Sequence, residues 1–124
     1  MHTITELSQY TLQNPPVVAL KRKPEVEDAY MKFIKKPENR SGFLDSIKLK
    51  MTQREFYLVD NDYPYWTQPD VKHMVCWFTD TNPFEILGSL KAKYNIVACW
   101  QNIPSNCSIQ EIKHLHVFIL EDLS

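Results

Sequence analysis

Glycine is almost missing from this chain: Gly42 and Gly88 are the only two in 124 residues. No glycine-rich loop can cradle a phosphate, which removes the P-loop and dinucleotide-binding classes. Cysteine is scarce and odd in number, with Cys76, Cys99 and Cys107 forming no CxxC pair. That argues against a disulfide framework and against a zinc knuckle. Cys76 and Cys99 lie inside apolar runs and read as small buried hydrophobes. Apolar runs long enough to span a membrane are also lacking, and the opening MHTITELSQY has no basic-then-apolar signal pattern. The reducing cytoplasm is therefore the expected compartment, with the nucleus reachable by diffusion. Charge of one sign is lacking too. A net charge of −1 provides no field to gather nucleic acid or anionic lipid, so neither is an expected partner. The short basic run KRKPE (21–25) reads as solvated charge at a helix start.

What is present is an ordinary globular composition, 44% hydrophobic and 23% charged. Residues 1–124 suffice for a single domain with a core that needs no staples. The front half has helical spacing. TITELSQYTLQN (3–14) places Ile4, Leu7 and Leu12 on one stripe, capped by Thr3 or Thr5 and stopped by Pro15 and Pro16. KPEVEDAYMKFIKK (23–36) has Pro24 in its first turn, acids at its start and lysines at its end. Val26, Tyr30, Phe33 and Ile34 form its apolar stripe, and Pro37 ends it. SGFLDSIKLKM (41–51) predicts a third helix using Phe43, Leu44, Ile47 and Met51.

From residue 55 the period changes. EFYLV (55–59) and VKHMVCWFT (71–79) predict two strands joined by the turn-rich DNDYPYWTQPD. NPFEILGSLKAKY (82–94) predicts a helix with Asn82 as N-cap, Pro83 at the first position and Glu85 closing a capping box. Phe84, Leu87, Leu90 and Tyr94 form its expected buried stripe. NIVACWQ (95–101) is almost continuously apolar and predicts a central strand covered on both faces. SIQEI (108–112), with a second capping-box spacing, predicts one helical turn, and HLHVFIL (114–120) the last strand. The expected fold is α+β or α/β. It has N-terminal helices over 1–51, then over 55–120 a small mixed sheet of about four strands with a right-handed β-α-β crossover.

This topology gathers polar residues at the edges of the sheet. The 60–70 connection is too short for a parallel crossover, so the first two strands are expected to be antiparallel neighbours. With the last strand parallel to the second and third, one edge collects Asn61, Asp62, Tyr63, Tyr65, His73, His114 and His116. Alternation places His114, His116 and Phe118 on one face and Leu115, Val117 and Ile119 on the other. His73, Val75 and Trp77 likewise share a face. Three imidazoles with Asp60 or Asp62 contain the donor set for a metal, yet a non-metal site is the preferred reading and no metal ligands are assigned. DYPYW (62–66) reads either as an aromatic platform for a sugar or base, or as a tight turn whose rings cap the core. Trp77 and Trp100 read as core.

The ordered motifs NDYPY (61–65), VKHMVCW (71–77) and CWQNIPSNCSIQEIKHLHVFI (99–119) carry a resemblance, helped by LKRKPEVEDAY (20–30) at the front. The chain resembles the family of the fungal N-acetylglucosamine-induced protein, a domain of unknown function. The resemblance spans nearly the whole chain and implies shared polar residues at Asn61, Asp62, Tyr65, His73, Asn102, Ser108, His114 and His116. It also departs from the family. The basic residue after the tryptophan strand is replaced by FTDTN, the Asn-Pro pair is spread into Asn102-Ile103-Pro104, and no arginine follows the last strand. If those basic groups bind a phosphate or another anion in the family, this chain should bind it poorly or bind something else. The family name implies a link to cytosolic amino-sugar metabolism and specifies no reaction.

Two functions follow from these expectations. In the first, a small polar metabolite of amino-sugar or nucleotide type binds or reacts at a His/Asp/Tyr site. His73, His114 or His116 then serves as general acid or base, Asp62 tunes it, and Asn61, Tyr63, Tyr65, Asn102 and Ser108 line the pocket. The cofactor is left unassigned, a metal being the less favoured option. The second is a non-catalytic interaction module, viral or host-directed, whose histidines are structural. A histidine-triad hydrolase would need a third alternate histidine, and position 118 is Phe.

Overall fold

A computed structural model of the chain describes residues 1–121. The elements run α1 (Ile4–Leu7), α2 (Pro24–Ile34), α3 (Pro37–Met51), β1 (Phe56–Asp60), β2 (Val71–Phe78), α4 (Pro83–Lys91), β3 (Ile96–Trp100), a 3-10 turn (Pro104–Asn106) and β4 (Lys113–Leu120). Helices in front of one four-stranded sheet make this an α+β domain. No helix among the described residues is long and apolar enough to cross a membrane.

The helical starts follow local chemistry. Pro24, Pro37 and Pro83 each occupy a first-turn position, where the missing N–H costs nothing. Pro37 thus opens α3 as well as closing α2, and α3 begins ahead of its expected start at 41. Asn82 Oδ1 accepts the Phe84 N–H at 2.8 Å, which caps α4. Replacing Asn82 with Ala is expected to cost about 1 kcal/mol, read as a lowered urea midpoint with unchanged slope. An unchanged midpoint would show that the cap is idle.

Three local expectations give way to tertiary contacts. The helix expected over 3–14 is a single turn. Leu7 packs with Trp100 and Phe118, whereas Leu12 packs with the cluster containing Leu90 and Val117. These clusters lie on opposite faces of the sheet, which one continuous helix could not reach. The turn expected at 108–112 is not helical. Its capping residues are used elsewhere, Ser108 meeting Tyr30 and Glu111 pairing with Arg40. Ile86 and Leu90 of α4 are buried while Phe84 of that helix and Tyr94 beyond its end face solvent, so the buried stripe is rotated from the expected one.

The sheet order is β1-β2-β4-β3, and every neighbouring pair is antiparallel. β1 and β2 pair as expected. β2 and β3 do run in the same direction around α4, but β4 is inserted between them. The sheet is therefore antiparallel throughout rather than mixed, and β4 runs opposite to the expected direction. The physical reason is the one that governs the 60–70 loop. The 101–112 connection contains only a 3-10 turn and irregular chain, which suits an antiparallel return and not a crossover. β3 is an edge strand despite its apolar composition. Cys99 faces the α4 side and Ala98 and Trp100 face the other, so both faces are covered although one hydrogen-bonding edge has no strand neighbour.

Alternation assigns the faces as expected. Cys76, Phe78, Leu115, Val117 and Ile119 pack under α4. His73, Val75, Trp77, His114, His116, Phe118, Ala98 and Trp100 form the other face, beneath α1, α3 and the 62–70 loop. The registers His73↔Phe118, Val75↔His116 and Trp77↔His114 lay this face out as a patchwork of imidazole and aromatic rings.

Candidate functional site

A cavity of about 320 Å³ lies between this face and the helices α2 and α3. That is within the range of small-molecule sites, on the order of 300–1,000 Å³. Its walls are aromatic: Tyr30 and Phe33 come from α2, Phe43 from α3, Tyr63 from the β1–β2 loop and Trp77 from β2. The rings contact one another, Tyr63 lying 5.3 Å from Tyr30 and 5.7 Å from Phe33 between centroids. The α2 stripe of Val26, Tyr30, Phe33 and Ile34 falls on the expected positions but is only half-buried, because part of it faces this cavity instead of packed core.

The floor is polar. Tyr65 is buried and stacks on His73 at 4.6 Å and on His116 at 5.3 Å. The Tyr65 backbone N–H donates to His73 Nδ1 at 3.0 Å. A neutral His73 must therefore carry its proton on Nε2, which donates to His116 Nδ1 at 2.8 Å. His116 in turn must carry its proton on Nε2. Both rings are held neutral, because burial strongly disfavours the charged imidazolium. Burial, followed by the nearby Arg22 charge, pushes His73 down to about 3. His116 is held well below the usual histidine range, first by burial and then by His73. His114 is lowered by burial, and partly restored by its Nδ1, which lies 3.2 Å from the Ile112 carbonyl. With Nδ1–H donating there, the His114 Nε2 holds a lone pair.

Asn102 closes the floor. Its Oδ1 accepts the Trp100 indole N–H at 2.9 Å, and its Nδ2 lies 3.1 Å from Tyr65 Oη and 3.0 Å from His116 Nε2. The Tyr65 hydroxyl is kept protonated, burial raising its pKa against the lowering effect of the Asn102 bond.

The structure thus brings Asn61, Asp62, Tyr63, Tyr65, Asn102, Ser108, His114 and His116 to one cavity. The reversed direction of β4 moves His114 away from His73, to the level of Trp77. His73 does not line the cavity and sits next to His116, where it sets that ring's tautomer. Asp62 is exposed at the rim, and among the described residues it makes no hydrogen bond to an imidazole, so the expected tuning contact is not made. Asn61 builds the turn instead, its Oδ1 accepting the Tyr63 N–H at 2.8 Å. Among the described residues no group of three or more His, Cys, Asp or Glu is placed to hold a metal ion. The DYPYW loop divides its roles: Tyr63 faces the cavity, Tyr65 is buried and Trp66 is exposed.

Sequence reading missed Arg22, taken as solvated charge. The Lys21 carbonyl accepts the Trp66 N–H at 2.8 Å and the Lys21 N–H donates to His2 Nε2 at 2.9 Å, which pins this segment along the loop. The Arg22 guanidinium then lies 4.3 Å over Tyr30 and 5.1 Å over Tyr65, donating to the Tyr63 carbonyl and pairing with Glu27. Its place in the resemblance to LKRKPEVEDAY was the one signal available.

No family model matches the chain, and no curated protein matches it. Among solved structures, the crystal structure of HTC1 is similar at a TM-score of 0.60 with 18% identity. The match covers 83% of this chain and 77% of that one, and it concerns the fold alone.

Proposed function

We propose that the chain binds a small polar metabolite in the cavity between α2, α3 and the sheet. The observation that carries this reading is the pairing of aromatic walls with a floor of neutral imidazoles and carboxamide. Flat rings stack against a sugar or base, and convergent polar groups fix its orientation. The resemblance to the N-acetylglucosamine-induced family favours an amino sugar within that class. His116 and Tyr65 are the floor groups placed to contact the ligand, and the His114 lone pair is an acceptor or base beside them. His73 is a positioning residue. An interaction module with purely structural histidines would leave these rings bonded to backbone carbonyls. His114 has such a bond, but His73 and His116 are bonded to each other.

The test is a heteronuclear NMR titration with N-acetylglucosamine, its 6-phosphate and nucleotides. Saturable shifts confined to the cavity lining, with Tyr30, Tyr63, Tyr65, Trp77, His114 and His116 among those that move, are expected, and Tyr30→Ala should weaken them about tenfold through loss of one stacked ring. No cavity response to any compound at millimolar concentration would sink the reading.

A further inference from the structure

The floor of the cavity has more hydrogen-bond donors than acceptors. The forced proton positions leave His116 Nε2–H facing the Asn102 carboxamide nitrogen at 3.0 Å, donor against donor. Turning the carboxamide over would satisfy His116 and the Tyr65 hydroxyl, but would set Asn102 Nδ2 against the Trp100 indole N–H, now 2.9 Å from Oδ1. Trp100 has no exposed surface. Either orientation therefore leaves at least one buried donor without an acceptor, and an unmade buried hydrogen bond costs stability. A second orphan lies on the same face. Trp77 is 3% exposed and lines the cavity, and its buried Nε1 has no hydrogen-bond partner within reach among the described residues.

The charges around the cavity do not call for an anion. Arg22 is offset by Glu27 at 3.1 Å and Asp60 by Lys72 at 2.9 Å. The other charged groups on the cavity wall, Lys50 and Asp62, are of opposite sign. The floor itself is made of neutral rings, and an unpaired oxyanion buried there would lack compensation.

From these observations we infer that the ligand presents an uncharged carbonyl oxygen, of amide or ketone type, to the cavity floor, as the acceptor that His116 Nε2–H and Trp77 Nε1–H lack. This rests on the binding reading above and narrows its ligand class. A carbonyl accepts two hydrogen bonds without requiring a counter-charge, which matches the surplus in number and in charge. Phosphate or carboxylate, if the ligand has one, remains outside the floor.

The probe is acetamide, titrated into the full uniformly labelled chain, with acetate and inorganic phosphate in parallel. The readouts are the Trp77 indole and His116 imidazole ¹⁵N resonances. Acetamide is expected to shift both saturably, with the Trp66 indole unmoved, while acetate and phosphate leave them in place. Trp77→Phe should weaken acetamide about tenfold, the loss of one hydrogen bond. Asn102→Asp provides a second check that leaves Trp77 packing intact. Its carboxylate supplies acceptors to Trp100 and His116 together, so the His116 pKa should rise and the His116 response to acetamide should vanish. Equal or stronger shifts with acetate or phosphate overturn the inference in favour of an anion site. Silence at both resonances while N-acetylglucosamine or a nucleotide perturbs Tyr63 and Tyr65 overturns it and leaves the binding reading standing. Silence everywhere overturns both.

Discussion

Lowering the pH from 7 to 5 is expected to remove about 2 kcal/mol of folding stability through His73 alone, with His116 and His114 acting in the same direction. In the unfolded chain these rings accept a proton near the ordinary histidine value of 6.5, whereas His73 in the fold resists until about 3 and the other two are lowered as well. Between those limits the unfolded state binds more protons than the native one. Stability then rises with pH, is fully present above 6.5 and falls progressively as the pH drops toward 3. The window from 7 to 5 lies above the carboxylate range, so it isolates the imidazoles. Urea denaturation at the two pH values measures it directly, as a fall in midpoint at constant slope. Equal midpoints would mean that the rings are hydrated and can accept protons in place, which would remove the basis for a neutral floor.

Trp100→Ala is the substitution with the largest expected cost, about 3–5 kcal/mol, a large share of the roughly 5–15 kcal/mol that a domain possesses. The indole is fully buried, meets Tyr10 edge-on at 5.4 Å and stacks on Phe118 at 4.7 Å. Its N–H also anchors Asn102. Truncation therefore opens a void and releases the carboxamide that closes the cavity floor, so ligand shifts at His116 should fade along with stability. Trp66→Ala is the control. Trp66 is 38% exposed, and its loss should change stability by no more than about 0.5 kcal/mol. A Trp100 variant within about 1 kcal/mol of the parent chain would show that the face relaxes into the space, contrary to close packing.

Much of the fold is legible wherever the signal is local. Proline at a first turn and asparagine at a cap act on their own backbone, so α2 and α4 lie where the pattern puts them. Period-two alternation acts along one strand, so the two faces of β2 and β4 follow from the residues themselves. The failures share a cause. Leu7 and Leu12 have helical spacing but are claimed by opposite sides of the sheet. Ser108 and Glu111 have the spacing of a capping box, but α2 and α3 compete for their side chains through Tyr30 and Arg40. The apolar composition of β3 reports that both its faces are covered. It says nothing of how many strands flank it.

By itself, then, the sequence determined that His73, His114 and His116 project from one face, because side-chain direction in a strand depends only on the pleat. It also placed Tyr63 and Tyr65 beside that face, through a turn whose residues leave the chain little freedom. Only the tertiary structure decided which imidazoles meet. Pairing direction and strand order depend on long-range contacts, and reversing β4 set His116 against His73 while carrying His114 to the level of Trp77. The same holds for the cavity itself. Arg22, Tyr30 and Phe33 come from a segment with no local mark of a site, and packing of the front helices over the sheet is what makes them its wall.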